Sequence, residues 1–134
     1  MTDKSIDLAK YRIEQARDCL QSADREVKAD SFKTAANRSY YAVFHSMRAV
    51  LALDNFDSKR HSGIIAAFRE RYIKTGKFAP HFSDVIGEAF EVRNNSDYQD
   101  FFIVPKSDVL EQIENARLFL EAVAKYVNNV SEGK

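Results

Sequence analysis

Arg93 and Asp97 stand where a helix should carry its next core residues. Phe82, Val85, Ile86, Ala89 and Phe90 recur at three- and four-residue steps, and the same rhythm continues onto Arg93 and then Asp97. At about 100° per residue, Phe82, Ile86, Ala89, Arg93 and Asp97 share one stripe turned towards the interior or a partner. A guanidinium in such a seam is unfavourable unless it is hydrogen-bonded and paired. Two arrangements meet that requirement. Asp97, four residues on, can close a structural ion pair with Arg93. Alternatively Arg93, with Asn94, Asp97 and Tyr98 about it, forms a polar site where helices meet and takes an anionic ligand. A second line of chemistry-bearing residues lies earlier: Arg38, Tyr41, His45 and Arg48 follow one another at three, four and three residues. Their side chains therefore stack along one edge of a helix. His45 there is either a half-buried histidine held by a neighbour or an acid–base or ligand-binding group. His61 falls in the first turn of the next helix, where the helix dipole disfavours protonation; packing is its simpler role and ligand contact the other.

The elements that must hold these residues are helical. From Asp3 to Val27, the residues Ile6, Ala9, Ile13, Ala16, Leu20, Ala23 and Val27 keep an unbroken three–four alternation, the seam of a long scaffold helix. Lys28 to Ser31 is a break, and Asp30 or Ser31 is suited to cap the second helix. That helix, Phe32 to Leu53, has a wide apolar face of Phe32, Ala36, Tyr40, Val43, Phe44, Met47, Val50 and Leu51. Ala35, Ala42 and Ala49 add a strip of small residues at heptad spacing, suited to close helix approach. Asp54 to Ser58 is a turn, with Asp57 or Ser58 expected to cap a third helix carrying His61, Ile64, Ile65, Phe68 and Tyr72, closed by Gly76. The Arg93 helix runs from Ala79 to Asn94 and leaves through Asn95 to Tyr98. Tyr98 to Pro105 reads as a loop in which Phe101, Phe102 and Ile103 are either tucked over the protein or offered to a partner. Ser107 or Asp108 is expected to cap a last helix with Val109, Ile113, Ala116, Leu120, Val123, Val127 and Val130 as its seam. The result is an all-α, antiparallel up-and-down bundle of four to five helices. Residues 1–134 form one domain, with residues 1–3 and 131–134 expected to fray.

Bulk properties narrow the function. Basic and acidic residues balance at 20 each, which argues against nonspecific, charge-driven binding to DNA. Locally, Lys59, Arg60, Arg69, Arg71, Lys74 and Lys77 face only Glu70 within their stretch. That segment is either a solvated face beside acidic neighbours or a guide for phosphates. Cys19 is the only cysteine, so an intrachain disulfide is excluded; it is expected to be an inert boundary residue. Three scattered histidines without ligand spacing do not make a metal site, and no serine or cysteine sits in a nucleophile elbow. No apolar run is long enough for a membrane span, and no signal-like leader is seen, so a cytoplasmic protein is expected.

Ser39-Tyr-Tyr-Ala-Val-Phe-His45, Lys59-Arg-His-Ser-Gly63 and Arg93-Asn-Asn-Ser-Asp-Tyr98 together make the chain resemble the HEPN domain, in the small single-domain branch whose arginine motif ends in Asp-Tyr. The resemblance extends from the first helix to Tyr126. It implies a helical bundle that dimerises through the helices carrying the arginine motif, often encoded beside a minimal nucleotidyltransferase that serves as its antitoxin. It also implies metal-independent endoribonuclease activity, as a toxin or an RNA-processing effector, with no cofactor. Active members have an arginine, a polar residue and a histidine a few positions further on. Arg93 and Asn94 match the start of that motif, whereas Tyr98, Gln99 and Asp100 occupy the histidine's place. In the implied chemistry the histidine moves a proton and the arginine stabilises the phosphorane charge. Here Arg93, Asn94, Asp97 and Tyr98 are the candidate catalytic set, and Arg38, Tyr41, His45 and His61 are candidate supporting or ligand-binding residues. Tyr98 also resembles, in type and helix position, the tyrosine that such partners modify with AMP. The alternative is a non-catalytic dimer that binds a nucleotide, RNA or a nucleotidyltransferase partner through the same cleft.

Overall fold

A computed structural model describes residues 2–133. Five α-helices follow one another: α1 (Asp3–Lys28), α2 (Phe32–Ala52), α3 (His61–Phe68), α4 (His81–Tyr98) and α5 (Lys106–Glu132). A π-helical turn, Arg69–Ile73, extends α3. Among the described residues there is no strand, and no helix is long and apolar enough to cross a membrane.

Helix α1 starts where Thr2 Oγ1 accepts the backbone N–H of Ser5 at 3.0 Å, a cap worth about 1 kcal/mol. The six seam residues from Ile6 to Ala23 are all buried, and Val27 is half-buried at the end of the row. Helix α2 is the central element and packs against α1, α3, α4 and α5. Ala35, Ala42 and Ala49 are wholly buried, which lets neighbouring backbones close on it. From Ser39 to Val50 every residue of α2 is buried except Tyr41, His45 and Arg48. The polar line, with Arg38 at its head, is thus the edge along which α2 leaves the core.

Helix ends depart from expectation in four places. Asp30 adopts the left-handed conformation (φ 58°) and reverses the chain, while Ser31 takes the N-cap position of α2 without a side-chain capping bond. At α3 the cap position belongs to Arg60, whose N–H is accepted by Ser58 Oγ at 3.2 Å, so Ser58 braces the entry without being the cap. Helix α5 begins at Lys106 after Pro105, which places Ser107 and Asp108 inside its first turn, where the Asp108 charge favours the dipole. Helix α4 does not stop at Asn94 but continues through Tyr98, with Gln99 N–H donating to Asn95 O at 3.0 Å. Near the termini, Asp3 and Ser131 to Glu132 are helical; Met1 and Lys134 lie outside the described residues.

The π turn buries Tyr72, whose hydroxyl donates to Asp54 Oδ2 at 2.7 Å. Gly76, at φ 82°, then reverses the chain as expected of a C-terminal glycine. In the α4–α5 loop Val104 is buried and Phe102 half-buried, while Phe101 and Ile103 are 97% and 80% exposed. The loop therefore tucks Phe102 and Val104 over the protein and leaves Phe101 and Ile103 exposed.

Candidate functional site

Helix α4 lays its last turns across the polar edge of α2. Along the stripe, Phe82, Ile86 and Ala89 are buried, the Arg93 side chain is 20% exposed and that of Asp97 37%. The arginine is therefore half-sunk at the rim of the core, and not free in solvent. Its guanidinium lies 5.7 Å from the ring centroid of Tyr40 and 5.9 Å from that of Tyr41, a cation–π setting. One Nη donates to Tyr41 Oη at 3.4 Å and the other to Asn94 Oδ1 at 3.5 Å. Asp97 Oδ2 is 3.1 Å from Arg93 Nε, so the ion pair expected of this spacing is present. Yet the Nε N–H is not aligned on that oxygen, and Nε is buried without a hydrogen bond. The long Nη contacts leave the guanidinium with capacity for a further acceptor. Asp97, Ser96, Asn37, Thr34 and Lys33 line a shallow groove of about 270 Å³ beside it. Tyr98, one residue beyond Asp97, is 79% exposed.

His61 meets the same two tyrosines. Its Nδ1 is 2.7 Å from the hydroxyl of Tyr40. The imidazole stacks on Phe44 at 4.2 Å and meets Tyr41 edge-on at 5.8 Å. Burial, then the charges of Arg93 and Arg48, lower the His61 pKa below its ordinary 6.5, so the ring is neutral at pH 7. Tyr40 is raised by burial and stays a neutral phenol. Tyr40, which the apolar pattern of α2 assigns to the core, is thus also the link between His61 and the arginine. The doublet Tyr40-Tyr41 was the available signal: adjacent tyrosines at a core edge place two hydroxyls on neighbouring faces.

His45 has different company. Its Nδ1 is buried without a partner, and burial, followed by the charges of Arg48, Arg12, Arg38 and His61, lowers its pKa to about 4. It contacts Tyr41 and Phe44 but makes no hydrogen bond to the Arg93 side chain. Next to it, Arg48 bonds Asp57 at 3.1 Å, and Arg12 bonds the same oxygen at 3.4 Å and the Arg48 carbonyl at 3.0 Å. Burial opposes the Asp57 carboxylate, but the Arg48 hydrogen bond, the Ser58 amide and both arginine charges hold its pKa below the ordinary value. Arg12, only 7% exposed, was hidden in the sequence because it flanks the α1 seam without interrupting it. Arg38 folds back onto Asn37 and over the Tyr41 ring at 5.2 Å.

The basic segment is largely engaged with its own chain. Arg71 pairs with Asp54 at 3.6 Å and covers Phe56, Lys74 pairs with Glu70, Arg69 donates to the Ser83 carbonyl at 2.9 Å, and Lys77 lies over Tyr72. No group of metal-ligating side chains occurs among the described residues, and Cys19 is a half-buried free thiol whose pKa burial raises.

The family model for the HEPN domain matches residues 9–126. A protein of Thermotoga maritima designated UPF0332 is 31% identical over 123 residues, covering 92% of this chain and 93% of that one. Another UPF0332 protein, from Archaeoglobus fulgidus, is 28% identical over 123 residues, with 92% and 98% covered. A Methanocaldococcus jannaschii protein provisionally named a toxin is 26% identical over 124 residues, with 91% and 84% covered.

Proposed function

Since the chain belongs to the HEPN domain family, we propose that it is a HEPN-type toxin that cleaves RNA without a metal, as a homodimer formed through the Arg93 helix and paired with a minimal nucleotidyltransferase. The observation that carries this reading is the state of Arg93: a cation held at the rim of the core by two tyrosine rings, with both Nη contacts long, at 3.4 and 3.5 Å. A phosphodiester offers stronger acceptors to the two Nη groups than their present partners at 3.4 and 3.5 Å. Charge that develops on its non-bridging oxygens is stabilised by a guanidinium already fixed in place. Asn94 steadies one Nη, and Asp97 holds the arginine in register until the anion arrives.

Expression of the intact chain arrests growth, and the purified protein cleaves total RNA in the presence of a chelator. Arg93→Ala loses both, by about 10²-fold or more in cleavage rate, with an unchanged helical spectrum and melting temperature. Undiminished cleavage by Arg93→Ala sinks the reading.

One observation favours a second reading, a dimer regulated by its partner. Tyr98 closes α4 beside Asp97 and is 79% exposed, so an enzyme that transfers AMP can reach its hydroxyl. The added phosphate would bring negative charge to the site that Arg93 offers to RNA. Intact-mass measurement after co-expression with a neighbouring nucleotidyltransferase is expected to show the AMP increment and to lose it in Tyr98→Phe.

A further inference from the structure

We propose that His61, anchored by Tyr40, is the proton-transfer group of this site, standing in from α3 for the histidine that the end of α4 lacks. This rests on the RNA-cleaving reading and names the residue that completes it. Arg93 lies over the Tyr40 and Tyr41 rings, and His61 touches the same two residues, by a 2.7 Å hydrogen bond to Tyr40 and an edge contact with Tyr41. Three helices thus bring one guanidinium and one imidazole into contact with a single aromatic pair. His61 uses Nδ1 for Tyr40, while its Nε2 has no protein partner and is not among the buried polar atoms. That nitrogen is the one left to meet a ligand. His45 offers no such atom near Arg93: it faces Arg12, Arg38 and Arg48.

In the proposed step, Nε2 of the neutral His61 takes the proton of a ribose 2′-hydroxyl as the 2′-oxygen bonds to phosphorus. The P–O5′ bond breaks, the departing 5′-oxygen takes a proton from water, and a 2′,3′-cyclic phosphate remains. The imidazolium then returns its proton to solvent, neutralising the hydroxide. The step uses the tautomer in which Nδ1–H donates to the Tyr40 oxygen and Nε2 is free to accept, while Arg93 bears on the charged phosphoryl oxygens. The groups facing His61 are Tyr40, Tyr41, His45 and Arg48 from α2 and Arg93 from α4, with Asp57 reaching it only through Arg48. The cations among them favour the neutral base at pH 7. Tyr40 is a positioning residue in this scheme, since it acts on the substrate through the histidine.

The test compares the wild-type chain, Arg93→Ala, His61→Ala, His61→Gln and Tyr40→Phe on short single-stranded RNA in the presence of a chelator. Binding is measured separately with the uncleavable 2′-O-methyl form of the same RNA. His61→Gln keeps a hydrogen-bonding group towards Tyr40 and guards against a folding defect in His61→Ala. Both histidine variants are expected to lose about 10²-fold or more in kcat, with affinity for the 2′-O-methyl RNA within about twofold of wild type. In wild type kcat falls as pH drops through the His61 pKa; in Tyr40→Phe that acidic limb moves to lower pH, which a purely structural role would not cause. If wild type cleaves and Arg93→Ala does not, but either histidine variant cleaves at the wild-type rate, the assignment of His61 is overturned while the RNA-cleaving reading stands. A wild-type chain that leaves RNA intact overturns both.

Discussion

At the scale of single residues, Asp97 decides how readily Arg93 meets an anion. The pair is spaced i to i+4 on α4, and its Nε–Oδ2 distance of 3.1 Å lacks hydrogen-bond alignment. Such a pair on a helix contributes only about 0.3–0.5 kcal/mol, while its carboxylate competes with any phosphate for the same guanidinium. Asp97→Asn keeps the shape and removes the charge. It is expected to bind 2′-O-methyl RNA several-fold more tightly while lowering stability by no more than about 0.5 kcal/mol, as read by fluorescence anisotropy and urea unfolding. Weaker binding in Asp97→Asn would mean that the carboxylate orients Arg93 productively and does not compete with the ligand. The second determinant at this scale is Tyr40, a side chain with no exposed surface that nonetheless presents its hydroxyl to His61. Its ring is core and its oxygen is site, a division that an apolar pattern counts only once.

At the scale of elements, the site exists because α2 is flanked closely enough for α4 and α3 to converge on one edge of it. The wholly buried Ala35, Ala42 and Ala49 let a neighbouring backbone close on α2. Ala42→Leu inserts a branched side chain where no free volume is evident and is expected to destabilise the fold by about 1–3 kcal/mol, measured by chemical unfolding. A neutral outcome would show that the strip is loosely packed. Much of this arrangement was legible beforehand. The seams of α1 and α5, the small-residue strip, the polar line of α2 and the Arg93–Asp97 spacing are all periodic, and periodicity survives into three dimensions. Helix ends were less legible, because caps compete locally: Asp30 went to a left-handed reversal, and Asn95 to Tyr98 stayed helical despite their turn-forming composition. The π turn has no pattern of its own that would announce it. Nor could spacing along one chain show that His61 of α3 faces the Tyr40 hydroxyl across two helices, since that contact depends on the tertiary approach of α3 to α2.

At the scale of the whole molecule, the absence of net charge makes RNA binding a matter of local contacts and not of long-range attraction. Arg71 and Lys74 hold acidic partners, Arg69 is bonded to the Ser83 carbonyl, and Arg12 and Arg48 share Asp57. Each of these cations would have to give up an intramolecular contact to reach a phosphate. Arg93, whose Nη contacts are long at 3.4 and 3.5 Å, is already held at the site, with Lys33 lining the groove beside it. One or two phosphates neutralised per protomer correspond to a slope of about −0.7 to −1.4 in the logarithm of the binding constant against the logarithm of salt concentration, at about −0.7 per phosphate on a single strand. Titration of 2′-O-methyl RNA across a salt series is expected to fall in that range, and in Arg93→Ala to flatten by about one phosphate's worth. A slope of about −3 or steeper would show instead that the segment from Lys59 to Lys77 opens its internal pairs and grips the backbone along its length. Recognition would then belong to the surface of α3 and the turn after it, and the cleft at Arg93 would act only on RNA already held elsewhere.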